Sequence, residues 1–238
     1  MTQTQLMGSA DAFAQLGRIK LSETDLNGVF QQIADLAKRT IPGASEVSVT
    51  LVKNQDAHTA AFTGDLALAL DETQYKLGHG PCLDAAVSTS IQHVADMTRD
   101  DRWPDWTSRA REAGAHSSLS IGLPVQEAVN GALNVYATEP DAFDENALAV
   151  AETFAGYAEV AMANAYLYNA QTTLAQHMEI AMRSRAVIEQ AKGIIMGDRR
   201  CSADEAFAIL TKLSQDTNHK LRDVAAALVK RATTTPKP

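Results

Sequence analysis

The C-terminal part of the chain carries a run of cationic and amide side chains that fall outside every apolar stripe: Arg183, Arg185, Gln190, Lys192, Arg199, Arg200, Lys212, Lys220 and Arg222. Guanidinium and ammonium groups neutralise phosphate, and such residues are equally at home on a solvated helix face. Charge divides the chain in two. Residues 1–170 hold 10 Lys+Arg against 22 Asp+Glu, a net of −12, whereas residues 171–238 hold 11 against 7, a net of +4 within the overall −8. A phosphate backbone is attracted to the second segment and repelled by the first.

A second reactive set lies earlier. Leu77-Gly78-His79-Gly80-Pro81-Cys82 puts a thiol three residues from an imidazole. A nucleophilic cysteine needs a stabilised thiolate and an oxyanion site, and no third member is evident. A buried cysteine that fills space answers the same pattern. Trp103 and Trp106 either line a ligand pocket or form a lid over a sheet. Cys82 and Cys201 are far apart, with no CxxC pair and no His cluster, which fits a reducing cytoplasm and argues against a disulfide scaffold or structural zinc. Which cofactor, if any, the chain takes is not read from these residues.

Several elements must position these groups. Leu26, Val29, Phe30, Ile33, Leu36 and Ala37 recur at helical steps up to Thr40, and Ile41-Pro42-Gly43 ends that helix. Glu46–Val52 and Ala57–Thr63 read as a hairpin turning at Lys53–Asp56. Helices are expected at Leu66–Tyr75, Leu83–Ser88 and Trp106–Ala113. Strands are expected at Ile91–Val94, Ser118–Val125 and Gly131–Thr138, with a turn around Val129 and Asn130. The order predicts an α+β fold, an antiparallel sheet with helices packed on it.

Asp144–Asp198 contains no proline and reads as one or two long helices. Ala147, Ala151, Phe154, Ala158, Ala161, Ala165 and Tyr168 form a heptad seam rich in alanine, and Leu167, Leu174, Met178, Ala181 and Ile188 form a second stripe. Both suit a parallel connector that dimerises, and the first half suits packing on its own sheet as well. Beyond it, Ser202 and Glu205 form a capping box ahead of Ala206, Phe207, Leu210 and Leu213. Asn218-His219 interrupts, and Leu221, Val224, Ala225, Leu228 and Val229 make the last stripe. With Val187, Ile188, Ala191, Ile194 and Ile195 these complete a minimal three-helix bundle, in which Ala191 and Gly193 permit a close helix crossing.

Arg185-x-x-Ile188-x-Gln190-Ala191-Lys192-Gly193-Ile194-Ile195-Met196, Ser202-x-x-Glu205-Ala206-Phe207-x-x-Leu210 and Asn218-x-Lys220-Leu221-x-Asp223-Val224-Ala225 resemble an ANTAR domain. The resemblance implies a dimeric module that binds paired RNA hairpins in a nascent transcript and prevents a terminator from forming. It carries Gln190, Ala191, Lys192, Gly193, Asn218 and Lys220 onto this chain. Lys192 and Lys220 would meet phosphates, and Gln190 and Asn218 base edges or the 2′-OH. Arg185, Arg199 and Arg222 complete the expected RNA-binding set. Arg199-Arg200-Cys201 departs from the family, in which a glycine is common between the first two helices.

The segment around Gly78–Cys82, with His93-Val94-Ala95-Asp96 and Asp101-Arg102-Trp103-Pro104, resembles a GAF domain, more narrowly that placed before ANTAR in actinobacterial regulators. GAF domains are generic sensors, so the resemblance implies a fold and no particular ligand. Cys82, Trp103 and Trp106 are the expected ligand-side residues; bilin or haem attachment at Cys82 or His79 would follow by analogy alone. His177-Met178-Glu179-Ile180 looks like a histidine-kinase phosphoacceptor helix, yet no glycine-rich ATP-binding domain follows.

These readings predict a flexible N-terminus over 1–20, a GAF sensor over 21–165, a coiled-coil connector over 166–180, an ANTAR bundle over 181–232 and a disordered tail over 233–238. The expected protein is a cytoplasmic, non-enzymatic, homodimeric antitermination regulator that binds structured RNA and senses a small molecule or protein. No long apolar stretch indicates export or membrane insertion. A DNA-binding regulator using the last helix, or a GAF-type enzyme at Cys82, are the alternatives.

Overall fold

The computed structural model describes residues 8–54, 56–126 and 129–234. The chain forms two compact units, divided after Asn169. In the first, helices α1 (Ser9–Leu16) and α2 (Leu26–Thr40) precede strands β1 (Glu46–Lys53) and β2 (Asp56–Phe62). Helices α3 (Asp65–Leu77) and α4 (Pro81–Ser88), strand β3 (Ile91–Val94), helix α5 (Pro104–Glu112) and strands β4 (Ser117–Gln126) and β5 (Val129–Ala137) follow. The strands make one antiparallel sheet in the order β2-β1-β5-β4-β3.

Local chemistry accounts for the boundaries. The Asp25 side chain accepts from the Gly28 amide at 2.8 Å and starts α2. Ile41 turns extended ahead of Pro42, whose ring disfavours α geometry in the residue before it, and α2 stops there. Helix α3 ends on Gly78 at φ 74, and Pro81 opens α4 with its fixed φ. The β1–β2 turn passes through Asn54 at φ 51; Gln55 lies outside the described residues, as do 127 and 128. Val129 and Asn130, expected in the β4–β5 turn, already belong to β5, where the ladder pairs them with Lys53 and Val52.

Strand alternation gives the sheet two unlike faces. Val47, Val49, Leu51, Leu119, Ile121, Leu123, Leu133 and Val135 form the main apolar core with α1, α2 and the start of α6 (Glu145–Arg199). Their neighbours Ser48, Thr50, Ser118, Ser120, Asn134 and Tyr136 are also buried, on the opposite face, where α3 and α4 pack.

One expectation changes, and one open alternative is decided. Residues 9–16 form α1 where a flexible segment was expected, because Ala12 and Leu16 are buried in the main core and Phe13 stacks on Tyr157 at 4.6 Å. The alanine seam of α6 packs within its own unit: Ala147, Ala151, Phe154, Ala158 and Ala165 belong to the core beneath the sheet. Small side chains let the helix lie close on the strands, the same property that would let two helices meet. Tyr168, the seam's last member, is exposed.

The second unit holds the end of α6 with α7 (Ala203–Thr217) and α8 (Leu221–Thr234). Ser202 and Glu205 form the predicted capping box. Ala191, Ile195, Ala206, Leu210 and Ala225 are buried together, backed by Val187, Ile188, Leu221, Val224 and Leu228. Thr233 and Thr234 close α8, and the remainder of the expected tail lies outside the described residues.

Candidate functional site

The residues expected to meet RNA fall into two groups on the second unit. Arg185, Lys192 and Arg199 recur every seven residues of α6, so they share one stripe, spaced roughly 10 Å apart along the axis. Arg185, Gln190 and Arg199 are exposed, and Arg199 lies 3.3 Å from Asp198. The Lys192 side chain is only 17% exposed, its ammonium 3.0 Å from both Glu189 carboxylate oxygens. An ion pair with so exposed a partner contributes about 0–1 kcal/mol.

Asn218, Lys220 and Arg222 form the second group, at the α7–α8 turn, and all are exposed. Asn218 takes φ 52 and ends α7, and the Ser214 hydroxyl donates to the His219 carbonyl at 2.6 Å. Lys220 opens α8 by accepting the Asp223 and Val224 amides on its carbonyl. Arg222 lies 3.5 Å from Asp223.

Two sequence expectations differ here. Ala191 is buried as expected, whereas Gly193 is exposed and an added Cβ would meet nothing within 4 Å, so no helix crossing needs it. Arg200 adopts φ 51 just after α6, the left-handed position that commonly ends a helix on glycine. That backbone demand explains why glycine suits the position from which this chain departs.

The first unit holds a buried polar network under α3 and α4. Asp71 is wholly buried; Tyr136 donates to its Oδ1 at 2.5 Å and Thr59 to its Oδ2 at 2.8 Å. Burial pushes the Asp71 carboxyl up to about 6, against the opposing effect of these hydrogen bonds. The Asn134 amide nitrogen lies within donating distance of Ser48, Thr50, Asp71 and Cys82, between 3.0 and 3.3 Å. Gln74 accepts the Cys82 amide at 2.7 Å, and the Tyr75 hydroxyl joins Thr50 and Thr59. Three buried atoms on the same sheet face, Asn134 Oδ1, Ser118 Oγ and Ser120 Oγ, have no protein hydrogen-bond partner.

Cys82 is fully buried, and burial pushes its thiol up, beyond the ordinary range, with Asp71 adding to the effect. His79 is exposed, and the Cys82 sulfur meets Thr50 and Asn134 instead. Neither of these partners is a base that would activate the thiol. Trp106 is buried with its indole N–H 3.3 Å from the Leu70 carbonyl; Trp103 donates to Asp84 at 2.9 Å beneath the Arg102 guanidinium. Both belong to the small core with Val94, Met97 and Tyr136. The structure thus brings Cys82 and Trp106 toward the polar face and sets Trp103 at its edge.

The polar residues of that face escape a reading that follows only the apolar half of each strand. The signal lies in the other half, Ser48 and Thr50 between valines, Ser118 and Ser120 around Leu119, Asn134 and Tyr136 around Val135. Among the described residues no cluster of His, Cys, Asp and Glu is arranged to hold a metal, and no helix is long and apolar enough to cross a membrane.

The family model for the GAF domain matches residues 23–163, and that for the ANTAR domain matches residues 176–229. None of the curated proteins matches the chain. Among solved structures, the phycoerythrobilin-bound GAF domain from a cyanobacterial phytochrome is similar at 12% identity and TM-score 0.52, covering 68% of this chain and 97% of that one. The free methionine-R-sulfoxide reductase from Neisseria meningitidis, in complex with its substrate, is similar at 16% identity and TM-score 0.50, covering 69% and 89%. At these identities the likeness is one of fold.

Proposed function

The chain belongs to the GAF domain family and carries an ANTAR domain behind it, and from that premise we propose that it is an RNA-binding transcription antitermination regulator. The observation that carries the reading is the coincidence of the ANTAR match with the basic surface: Arg185, Gln190, Lys192, Arg199, Asn218, Lys220 and Arg222 all fall within residues 176–229 and are wholly or partly exposed. Hairpin loops offer splayed bases and closely spaced phosphates that short helices can meet without entering a groove. The module engages paired hairpins in nascent transcripts, and the GAF domain over 21–165 supplies the input from a small molecule or protein.

The chain works as a homodimer in the cytoplasm. Leu167, Leu174 and Met178, in the 166–180 connector, are 52%, 61% and 59% exposed, a stripe at heptad spacing that a second copy would cover. The 181–232 bundle is the output.

An electrophoretic-shift titration with a dual-hairpin RNA tests the reading, comparing wild type with Lys192→Ala/Lys220→Ala at two salt concentrations. Tight wild-type binding is expected, weakened in the double variant with a shallower salt slope. Equal binding by both proteins, or a preference for duplex DNA over hairpin RNA in competition, overturns it. The DNA alternative is disfavoured because α8 offers Arg222, Asp223, Lys230 and Arg231 around exposed Ala226 and Ala227, few groups with which to read base edges. Catalysis at Cys82 is disfavoured by its buried, protonated thiol.

A further inference from the structure

Helices α7 and α8 leave a groove between them on the second unit, a cavity of about 370 Å³. That gives room for a small planar ligand, since ligand sites start at roughly 300 Å³. Leu213 of α7 forms one wall, and Ala227 and Leu228 of α8 form the other. His219, Asp223 and Arg231 supply the polar groups. Leu213 and Ala227 are exposed, so these apolar walls face solvent and are not closed on a core.

Charge selects the occupant. Lys220, whose carbonyl starts α8, is exposed one turn before Asp223, and Arg231 lies two turns beyond it. Both fall on the face of α8 that lines the groove, roughly 16 Å apart along the helix. A phosphate chain running along α8 would meet a cation at each end. The apolar walls between them suit the one part of a nucleotide that carries no charge, its base.

Two groups fix how a base would lie. His219 Nδ1 is 2.7 Å from the Thr217 carbonyl, which only accepts, so this ring nitrogen donates and the imidazole is held in place. A held ring presents a face for stacking. The Asp223 carboxylate only accepts, and Arg222 Nε stands 3.5 Å from one of its oxygens, beyond ordinary hydrogen-bonding length. Guanine is the RNA base with two adjacent donors on its Watson–Crick edge, N1–H and N2–H, which match the two oxygens of a carboxylate. Asp223 in the first turn of α8 also suits the helix dipole, but a stabilising role makes no distinction between bases.

We propose that the α7–α8 groove takes one unstacked guanine from a hairpin loop, its ring against His219, Leu213 and Leu228 and its Watson–Crick edge on Asp223. Lys220 and Arg231 meet the flanking phosphates. This rests on the RNA-binding reading, of which it specifies what is read. Duplex DNA keeps its bases stacked and offers no such ring, so the groove also sets hairpin RNA apart from it.

Dual-hairpin RNAs with a single guanine at each loop position in turn are titrated against the full chain. Matched RNAs carry adenine at that place, or inosine, which lacks the N2 amino group. Wild type is expected to favour guanine at one position by about tenfold. Asp223→Asn should lose that preference. Ala227→Leu, which fills the groove from an exposed position, should bind the guanine RNA about tenfold more weakly at unchanged Tm. Equal affinity for the three bases at every position, a preference kept by Asp223→Asn, or full RNA affinity in Ala227→Leu overturns the proposal. So does a lower sedimenting mass of Ala227→Leu at unaltered RNA affinity, which would make the groove a contact between two copies. If wild type binds no hairpin at all, the RNA reading falls and the guanine site with it; hairpins bound without regard to base sink the guanine site alone.

Discussion

Tyr136 donates to Asp71 across 2.5 Å, with both side chains fully buried between the sheet and α3. Burial holds the Asp71 carboxyl up to about 6, above its ordinary value of 3.8, so the folded protein takes up a proton there more readily than the unfolded chain. The stability linked to this group is fully present below pH 3.8 and is lost as pH rises through 6. Two pKa units correspond to about 3 kcal/mol. Asp96, Asp100 and Glu205 are shifted downward and act in the opposite sense, so the contribution must be isolated by difference. Asp71→Asn, which keeps an acceptor for Tyr136, is expected to gain stability relative to wild type as pH rises from 4 to 7. Urea denaturation across that range measures it; parallel profiles for the two proteins would rule out Asp71 as the titrating group.

The two thiols should differ sharply toward an alkylating reagent. Cys82 is enclosed and its thiol is pushed up by burial, whereas Cys201 is partly exposed after α6. One equivalent of label is expected to react promptly under native conditions, at Cys201, and the second only on unfolding. Mass spectrometry of the labelled peptides distinguishes the sites. Prompt modification of Cys82 would mean that its surroundings open, and would revive the enzyme reading.

Legibility in the sequence followed how local the determining physics is. The bounds of α2 and the Ser202–Glu205 capping box were readable because periodicity and cap chemistry act within one or two turns. The alanine seam was not, since Ala151 and Ala158 are as suitable against a sheet as against a second helix, and only tertiary packing chooses. On the candidate RNA surface, Lys192 and Lys220 were marked by type and position, but the Glu189 pairing that half-covers Lys192 depends on side-chain geometry. The polar sheet face was written in plain alternation. It was obscured because Asn134 and Asp71 are sixty-three residues apart and meet only once the strands are ordered.

Arg200 holds a left-handed backbone at φ 51, where a side chain with a Cβ costs roughly 1–2 kcal/mol. Arg200→Gly is therefore expected to stabilise the second unit by about 1 kcal/mol, read as a higher denaturation midpoint at unchanged slope. Loss of this cation should also weaken hairpin RNA slightly and reduce the salt slope if Arg200 extends the stripe of Arg185, Lys192 and Arg199. An unchanged midpoint would show that the turn relaxes without strain.

Gly193 provides the sharper separation of stability from binding. It lies within α6, exposed, with open space where a Cβ would stand, so glycine there sacrifices about 0.5–1 kcal/mol relative to alanine for no packing benefit inside the chain. Its neighbour Lys192 belongs to the basic stripe. A glycine at such cost beside residues proposed to meet phosphate suits a point where another backbone comes close. Gly193→Ala is accordingly expected to raise stability by about 0.5–1 kcal/mol while weakening hairpin RNA binding about tenfold, equivalent to 1.4 kcal/mol. Because the fold gains rather than loses, weaker binding cannot be attributed to unfolding. A variant that is more stable and binds RNA as tightly as wild type would move the contact away from this turn of α6 and leave Asn218 and Lys220 to carry the interface.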